Sequence, residues 1–218
     1  KPFYYTIAGG SFLFASEIKA LRAHPEVGMR PNDRMFMTFL AWGVADHTPE
    51  TMYDGVFQVP PAHSLVVSKE GVGEPERYWD VVMNGASRGA GDDEAARRVH
   101  DLLTDAVRLR LRSDVPVGTC LSGGIDSSTV TALINVLLRE EGPESVGERQ
   151  KTFSVCFDDP RFDESKHIDT VVAATGVASH RTTPDTKGLW EDIGRLLSMQ
   201  DEPFASLSIY AQYCVMRL

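Results

Sequence analysis

The chain has 218 residues, 42% hydrophobic and 24% charged, which suits a globular protein of one large domain or two small ones. Its net charge of -9 and the lack of any Lys/Arg stripe argue against a nucleic-acid surface, which needs concentrated positive charge to displace counterions. No apolar run reaches the about 18 residues of a membrane span, and no signal peptide is visible, so the expected location is cytoplasmic with no membrane partner.

In chain order, Phe3–Ile7 and Ser11–Ala15 flank Ala8-Gly9-Gly10, a hairpin signal. A short helix is expected from Glu17 to Ala23, stopping before Pro25, and another from Asp33 to Trp42 with Gly43 as its stop. Val56-Phe57 and Ser64–Ser68 read as strands around Pro60-Pro61, followed by a turn at Lys69–Gly73. Residues 84 to 92 are small and polar, and read as a linker.

The pattern then changes. Asp93 to Leu111 is helical, with Val99, Leu102, Leu103, Ala106, Val107 and Leu111 on one face. Val115–Leu121 reads as a buried strand, Ser128–Arg139 as an amphipathic helix, and Thr152–Phe157 as a second buried strand. Glu164–Thr175 reads as a helix ending at Gly176, and Leu189, Ile193, Leu196 and Leu197 mark another. This βαβα alternation predicts an α/β fold, a parallel sheet covered by helices.

The central feature is Ser122-Gly123-Gly124-Ile125-Asp126-Ser127, between a strand and a helix. A turn at the carboxyl end of a parallel strand delivers backbone N–H groups, and the next helix points its positive end at the same spot. Gly123 and Gly124 allow close approach of an anion, and Ser122 and Ser127 add hydroxyl donors. A carboxylate beside phosphates is repulsive unless a cation lies between them, so Asp126 points to a bridging Mg²⁺. A plain glycine turn is the bland alternative, and the full hexapeptide makes it the weaker one. No GxxxxGK[ST] loop is present, and no GxGxxG follows a strand.

These residues resemble a known family. Arg112–Gly118 running into Leu121–Ser128, Phe153–Ser165 and Asp201-Glu202-Pro203-Phe204 are similar to glutamine-dependent asparagine synthetases. Phe14–Leu21, Val59–His63 and Arg77-Tyr78-Trp79 resemble the end of that family's glutaminase domain and the junction after it. The resemblance implies the C-terminal part of an Ntn-type glutaminase α+β domain over 1–80 and a linker over 81–92. Over 93–218 it implies a parallel-sheet ATP-pyrophosphatase (PP-loop, adenine-nucleotide α-hydrolase-like) domain.

It also implies roles. Ser122, Gly123, Gly124, Ile125, Asp126 and Ser127 would hold the pyrophosphate of ATP with Mg²⁺, Asp126 being the metal ligand and catalytic residue. Leu121 and Val155 would meet the adenosine through their backbones. Aspartate would be adenylated to β-aspartyl-AMP, and ammonia, from glutamine, would displace AMP. ATP, aspartate and glutamine or ammonia are then the partners, with a homodimer left open.

Two family parts are not found: an N-terminal Cys nucleophile and a second Gly-rich loop with an acidic pair. The expectation is of a middle piece, lying between Lys1 and Leu218 of a longer protein, with an incomplete synthetase site. β-Lactam synthetases and lasso-peptide cyclases resemble the same fold and loop, and a non-catalytic nucleotide-binding module is a further alternative.

Other residues stay open. Glu17 and Lys19 could face a domain interface or solvent. Among Asp158, Asp159, Asp163 and Glu164, helix N-capping by Asp163 is the preferred reading. Asp201 and Glu202 could approach the active site or form a plain acidic loop. The six histidines lack metal-ligand spacing, and Cys120, Cys156 and Cys214 read as buried free thiols.

Overall fold

The computed structural model describes residues 2–82 and 91–218. It falls into two units: Lys1–Asn84 with Leu197–Ala205, and Gly85–Leu196 with Ser206–Leu218. No helix among the described residues is long and apolar enough to cross a membrane.

In the first unit, β1 (Tyr4–Ala8) and β2 (Ser11–Ala15) pair antiparallel from Tyr4↔Ala15 to Ala8↔Ser11. Gly9 and Gly10 join them with φ of 57° and 75°. Two successive left-handed residues make a type I′ turn, whose twist matches the strands. After α1 (Ile18–Leu21) and α2 (Asp33–Trp42), β3 (Val56–Gln58) adds to the free side of β1, giving the order β2-β1-β3. Helix α1 is shorter than expected: Glu17 is extended and holds the N-cap position without a side-chain bond, and the last helical residue is Leu21. The Asn32 side chain accepts from Met35 N–H to open α2, and Gly43 closes it as expected.

One sheet face carries the core: Ile18, Leu21 and Val56 pack against Tyr4, Leu13 and Ala15. The other face is aromatic. Phe3 stacks on Phe14 at 5.2 Å, and Tyr5 lies 5.6 Å from both Phe12 and Phe57. The single strand expected over Ser64–Ser68 is split. β4 (His63–Ser64) pairs with β7 (Glu76–Arg77), while β5 (Val67–Ser68) pairs with β6 (Gly71–Val72). The chain changes partner at Leu65-Val66, so no continuous ladder forms.

Of the expected linker, residues 84–90 lie outside the described residues, and Gly91 and Asp92 are already the N-cap and first residue of α3 (Asp92–Arg110). Three acidic residues in that first turn suit the positive end of the helix. Only part of the apolar face of α3 is covered: Val107 and Leu111 are buried, while Val99, Leu102 and Leu103 are exposed.

The parallel sheet of the second unit has the order β10-β9-β8. β8 (Thr119–Cys120) is far shorter than the expected strand, because only these two residues pair with β9 (Lys151–Val155). Val115 is exposed rather than buried, and Val117 N–H bonds outside the sheet to Ser145 C=O. α4 (Ile125–Glu140) follows β8, and α5 (Ser165–Thr175) leads from β9 to β10 (Ala178–Thr182). Then come α6 (Thr186–Gln200) and α7 (Ser208–Met216). β10 and α7 have no counterpart in the sequence expectations.

The core joins Val107 and Leu111 to Leu133, Ile134 and Leu137 of α4. Each such side chain, once buried, contributes about 1.5–3 kcal/mol, so this pair of helices is held by packing rather than by propensity. Among the cysteines, all three are free, but Cys120 is exposed and Cys156 and Cys214 are half-buried, which corrects the expectation of buried thiols.

Candidate active site

Strand β8 ends at Cys120, and the chain turns through Leu121–Gly124 into α4. Leu121 is the anchor of this turn. Its side chain is buried, its N–H donates to Phe153 C=O at 2.9 Å, and its C=O accepts Ser154 Oγ–H at 2.6 Å. Gly123 then adopts φ 85° and presses against the start of α5, where a Cβ would sit 2.8 Å from His167 Cβ.

The serines shape the loop from within. Ser127 Oγ accepts Ser122 N–H at 3.2 Å and donates to Gly124 C=O at 3.2 Å, and the two hydroxyls lie 3.0 Å apart. Helix α4 starts three residues earlier than expected, at Ile125, because Gly124 is extended and acts as its N-cap. Asp126 therefore lies in the first helical turn. Gly124 has no side chain to cap the helix, so the first-turn N–H groups have no side-chain acceptor. Free N–H groups and the positive helix end converge here, which is the composition of an anion site.

Asp126 is exposed and makes no hydrogen bond or ion pair among the described residues. Nor do the described residues contain any group of three His, Cys, Asp or Glu side chains placed to hold a metal. One free carboxylate beside an anion loop suits a cation that takes most of its ligands from phosphate and water, as Mg²⁺ does, rather than from a protein cage.

A cleft of about 340 Å³ adjoins the loop, lined by Leu121, Ser122, Phe153, Val155, Ala211 and Val215. Val155 thus stands in the wall of this cleft. Helix α7 supplies the facing wall, a contribution with no sequence signal. A larger cleft, about 660 Å³, involves Gln150, Gly176 and Val177, at the amino ends of β9 and β10. Open parallel sheets bind ligands outside the carboxyl ends of their strands, so the smaller cleft is the candidate.

Asp163 does not cap α5; Glu164 holds that position. Asp163 instead accepts from Ser165 Oγ–H at 2.7 Å and Phe157 N–H at 3.1 Å, bonds that hold its carboxyl below the usual carboxylate range. It braces the stretch from β9 to α5, behind Gly123.

Asp201 and Glu202 are bonded within the first unit. Glu202 Oε1 accepts Met52 N–H at 2.6 Å, and burial, with Asp46 and Asp201 nearby, pushes its carboxyl above the usual range despite that bond. Its stabilising contribution is therefore full below the unfolded pKa of about 4.3 and is lost as pH rises through the higher folded value. Glu202→Gln keeps an oxygen for Met52 N–H without the charge, so its stability relative to wild type should improve from pH 4 toward neutrality (~pH 7) in urea unfolding. Glu202→Ala leaves that buried N–H unpaired and should cost about 1–3 kcal/mol.

An anion loop at the carboxyl edge of a parallel sheet, in a chain that also contains an antiparallel unit, defines an α/β protein with two parts. The chain belongs to the asparagine synthase family: that family's profile matches residues 98–218, and the glutamine amidotransferase domain profile matches residues 1–79. It is 35% identical over 211 residues to glutamine-hydrolyzing asparagine synthetase 3 of Bacillus subtilis, covering 93% of this chain and 34% of that protein. It is 30% identical over 218 residues to a putative glutamine-hydrolyzing asparagine synthetase 2 of Methanocaldococcus jannaschii, covering 99% of this chain and 40% of that protein. Against the amidase chyE of Penicillium rubens it is 33% identical over 200 residues, covering 87% of this chain and 29% of that protein. The chain thus spans 29% to 40% of the length of these relatives.

Proposed function

We propose that the whole protein is an ATP-dependent ligase that converts aspartate to asparagine with ammonia from glutamine. The observation that carries this reading is the loop Ser122–Ser127, whose left-handed Gly123 and helix start without a side-chain cap suit an anion beside a cleft. In this reading residues 1–80 are part of a glutamine amidotransferase domain, 81–90 a linker, and 91–218, opening on the N-cap of α3, part of the ATP-using domain.

The backbone N–H groups of Gly123 to Ser127 receive the pyrophosphate of ATP, and the serine hydroxyls keep the loop in shape for it. Leu121 and Val155 form the floor on which the adenosine rests. Asp126 would hold Mg²⁺, which would supply charge neutralisation for the phosphates. The aspartate carboxylate attacks the α-phosphate, β-aspartyl-AMP forms and pyrophosphate leaves; ammonia then attacks the acyl carbon and AMP leaves. The chain's own contribution is electrostatic, donors fixed in place where negative charge grows on the leaving pyrophosphate. A cytoplasmic location completes the reading.

The relatives named amidases favour a second reading, in which the same adenylation serves another acceptor. Full-length protein with ATP, Mg²⁺ and ammonia should release pyrophosphate only when aspartate is added, with asparagine formed in equal amount. Release with another carboxylate but not aspartate would favour the second reading. ATP binding without any release would leave a nucleotide-binding module.

A further inference from the structure

Met199–Glu202 lies inside the stretch matched by the asparagine synthase profile, yet Leu197–Ala205 belongs to the N-terminal unit. Asp201 has φ 62°, a left-handed conformation that a non-glycine residue adopts only when its surroundings fix it, and that Asp tolerates better than most. In that conformation one carboxylate oxygen accepts Ile18 N–H at 2.8 Å and the other accepts Lys19 N–H at 3.2 Å. These are the first N–H groups of α1, which the Glu17 side chain does not cap.

Further bonds close the same join. Lys19 Nζ lies 3.1 Å from Met199 C=O and 3.4 Å from Asp201 Oδ1. Tyr53 Oη–H donates to Asp201 C=O at 2.9 Å. The Asp201 side chain is 11% exposed and its bond to Ile18 N–H is shielded, whereas the Lys19 side chain, 40% exposed, adds only a screened contact. A four-residue helix does not sustain itself. Helix α1 is held by a residue 183 positions away in sequence.

We propose that Met199–Glu202 is a clasp by which the asparagine-synthase part of the chain positions α1 and the Met52-Tyr53 loop, making Asp201 a positioning residue for glutamine-dependent amide formation. The proposal rests on reading the N-terminal unit as the glutamine-using part. Its selectivity follows from packing. Ile18 and Leu21 of α1 share their core with Val56, whereas the core under the phosphate loop's helix contains none of these residues.

The test uses full-length protein with Asp201→Gly, which keeps the left-handed backbone and removes the carboxylate, and Asp201→Asn, which keeps one acceptor and tolerates that backbone. Asp201→Gly should lower glutamine-dependent asparagine formation at least about tenfold, the scale expected of a misplaced supporting element. Ammonia-dependent formation should hold within about twofold, since the binding geometry of the ATP loop is untouched. Asp201→Asn should recover most of the loss, and amide exchange at Ile18 and Lys19 should quicken in Asp201→Gly. An equal fall in both activities, or a wild-type glutamine rate in Asp201→Gly, overturns the proposal. If the wild type uses ammonia but never glutamine, the functional reading of the N-terminal unit fails, and the proposed role of Asp201 falls with it. Unchanged exchange at Ile18 and Lys19 would overturn the clasp independently of any activity.

Discussion

Asp126→Ala in the full-length protein should reduce aspartate-dependent pyrophosphate release by at least about a hundredfold, the scale of losing one group that stabilises transition-state charge. The fold should hardly notice. Asp126 is exposed, and no described residue bonds to it. Its one structural contribution is an acidic charge in the first turn of α4, worth about 0.3–1 kcal/mol. That is too little to unfold a helix whose Leu133, Ile134 and Leu137 are buried against Val107 and Leu111. Asp126→Asn isolates charge from size: it should fold like wild type, lose activity nearly as fully, and weaken the dependence of ATP binding on Mg²⁺. Pyrophosphate release near the wild-type rate in either variant would sink the role of Asp126. Release lost together with a large drop in thermal stability would instead assign it to the fold.

The sequence made most legible those features whose cause is local. The hairpin at Gly9-Gly10 and the helix from Asn32 to Gly43 depend on turn and cap chemistry within a few residues, and both stand where expected. The turn Ser122–Ser127 was legible for the same reason, since its glycines and serines set the passage from β8 into α4 within a few residues.

What stayed hidden depends on distant partners. β10 reads Ala-Ser-His-Arg-Thr and lies at the sheet edge, so its identity comes from pairing with β9 and not from an apolar run. Helix α7 has no side-chain cap to announce it, and its place in the cleft wall depends on the residues it meets around β8 and β9. Val115–Gly118 carried the apolar signal of a strand without the pairing that makes one, and Pro116 offers no N–H to a ladder. Asp201 and Glu202 were noticed as acidic residues, but their partners Ile18, Lys19 and Met52 lie 150 or more positions away, beyond any local pattern.

The two loop glycines should separate folding from function. Gly123→Ala places a Cβ 2.8 Å from His167 Cβ, 3.2 Å from Ile168 N and 3.3 Å from Glu164 C=O, and two of those neighbours are backbone that cannot swing away. It also forces φ 85° on a residue with a side chain. The conformational cost is about 1–3 kcal/mol, and the crowding adds a similar amount, about 1–3 kcal/mol. Urea unfolding should therefore show a clear loss of stability, with activity falling alongside it. Gly124 is different: its φ of -67° and ψ of 162° suit any residue, and a Cβ there would meet only Ser122 Oγ at 3.5 Å, an ordinary contact. Gly124→Ala should fold like wild type. If phosphate oxygens approach the backbone at this helix start, the added methyl stands in their way, and KM for ATP should rise about tenfold or more, as a lost charge-assisted bond of roughly 1.4 kcal/mol would produce. Wild-type stability of Gly123→Ala would contradict the packing of the loop on α5, while an unchanged KM in Gly124→Ala would move the phosphate site away from this helix end.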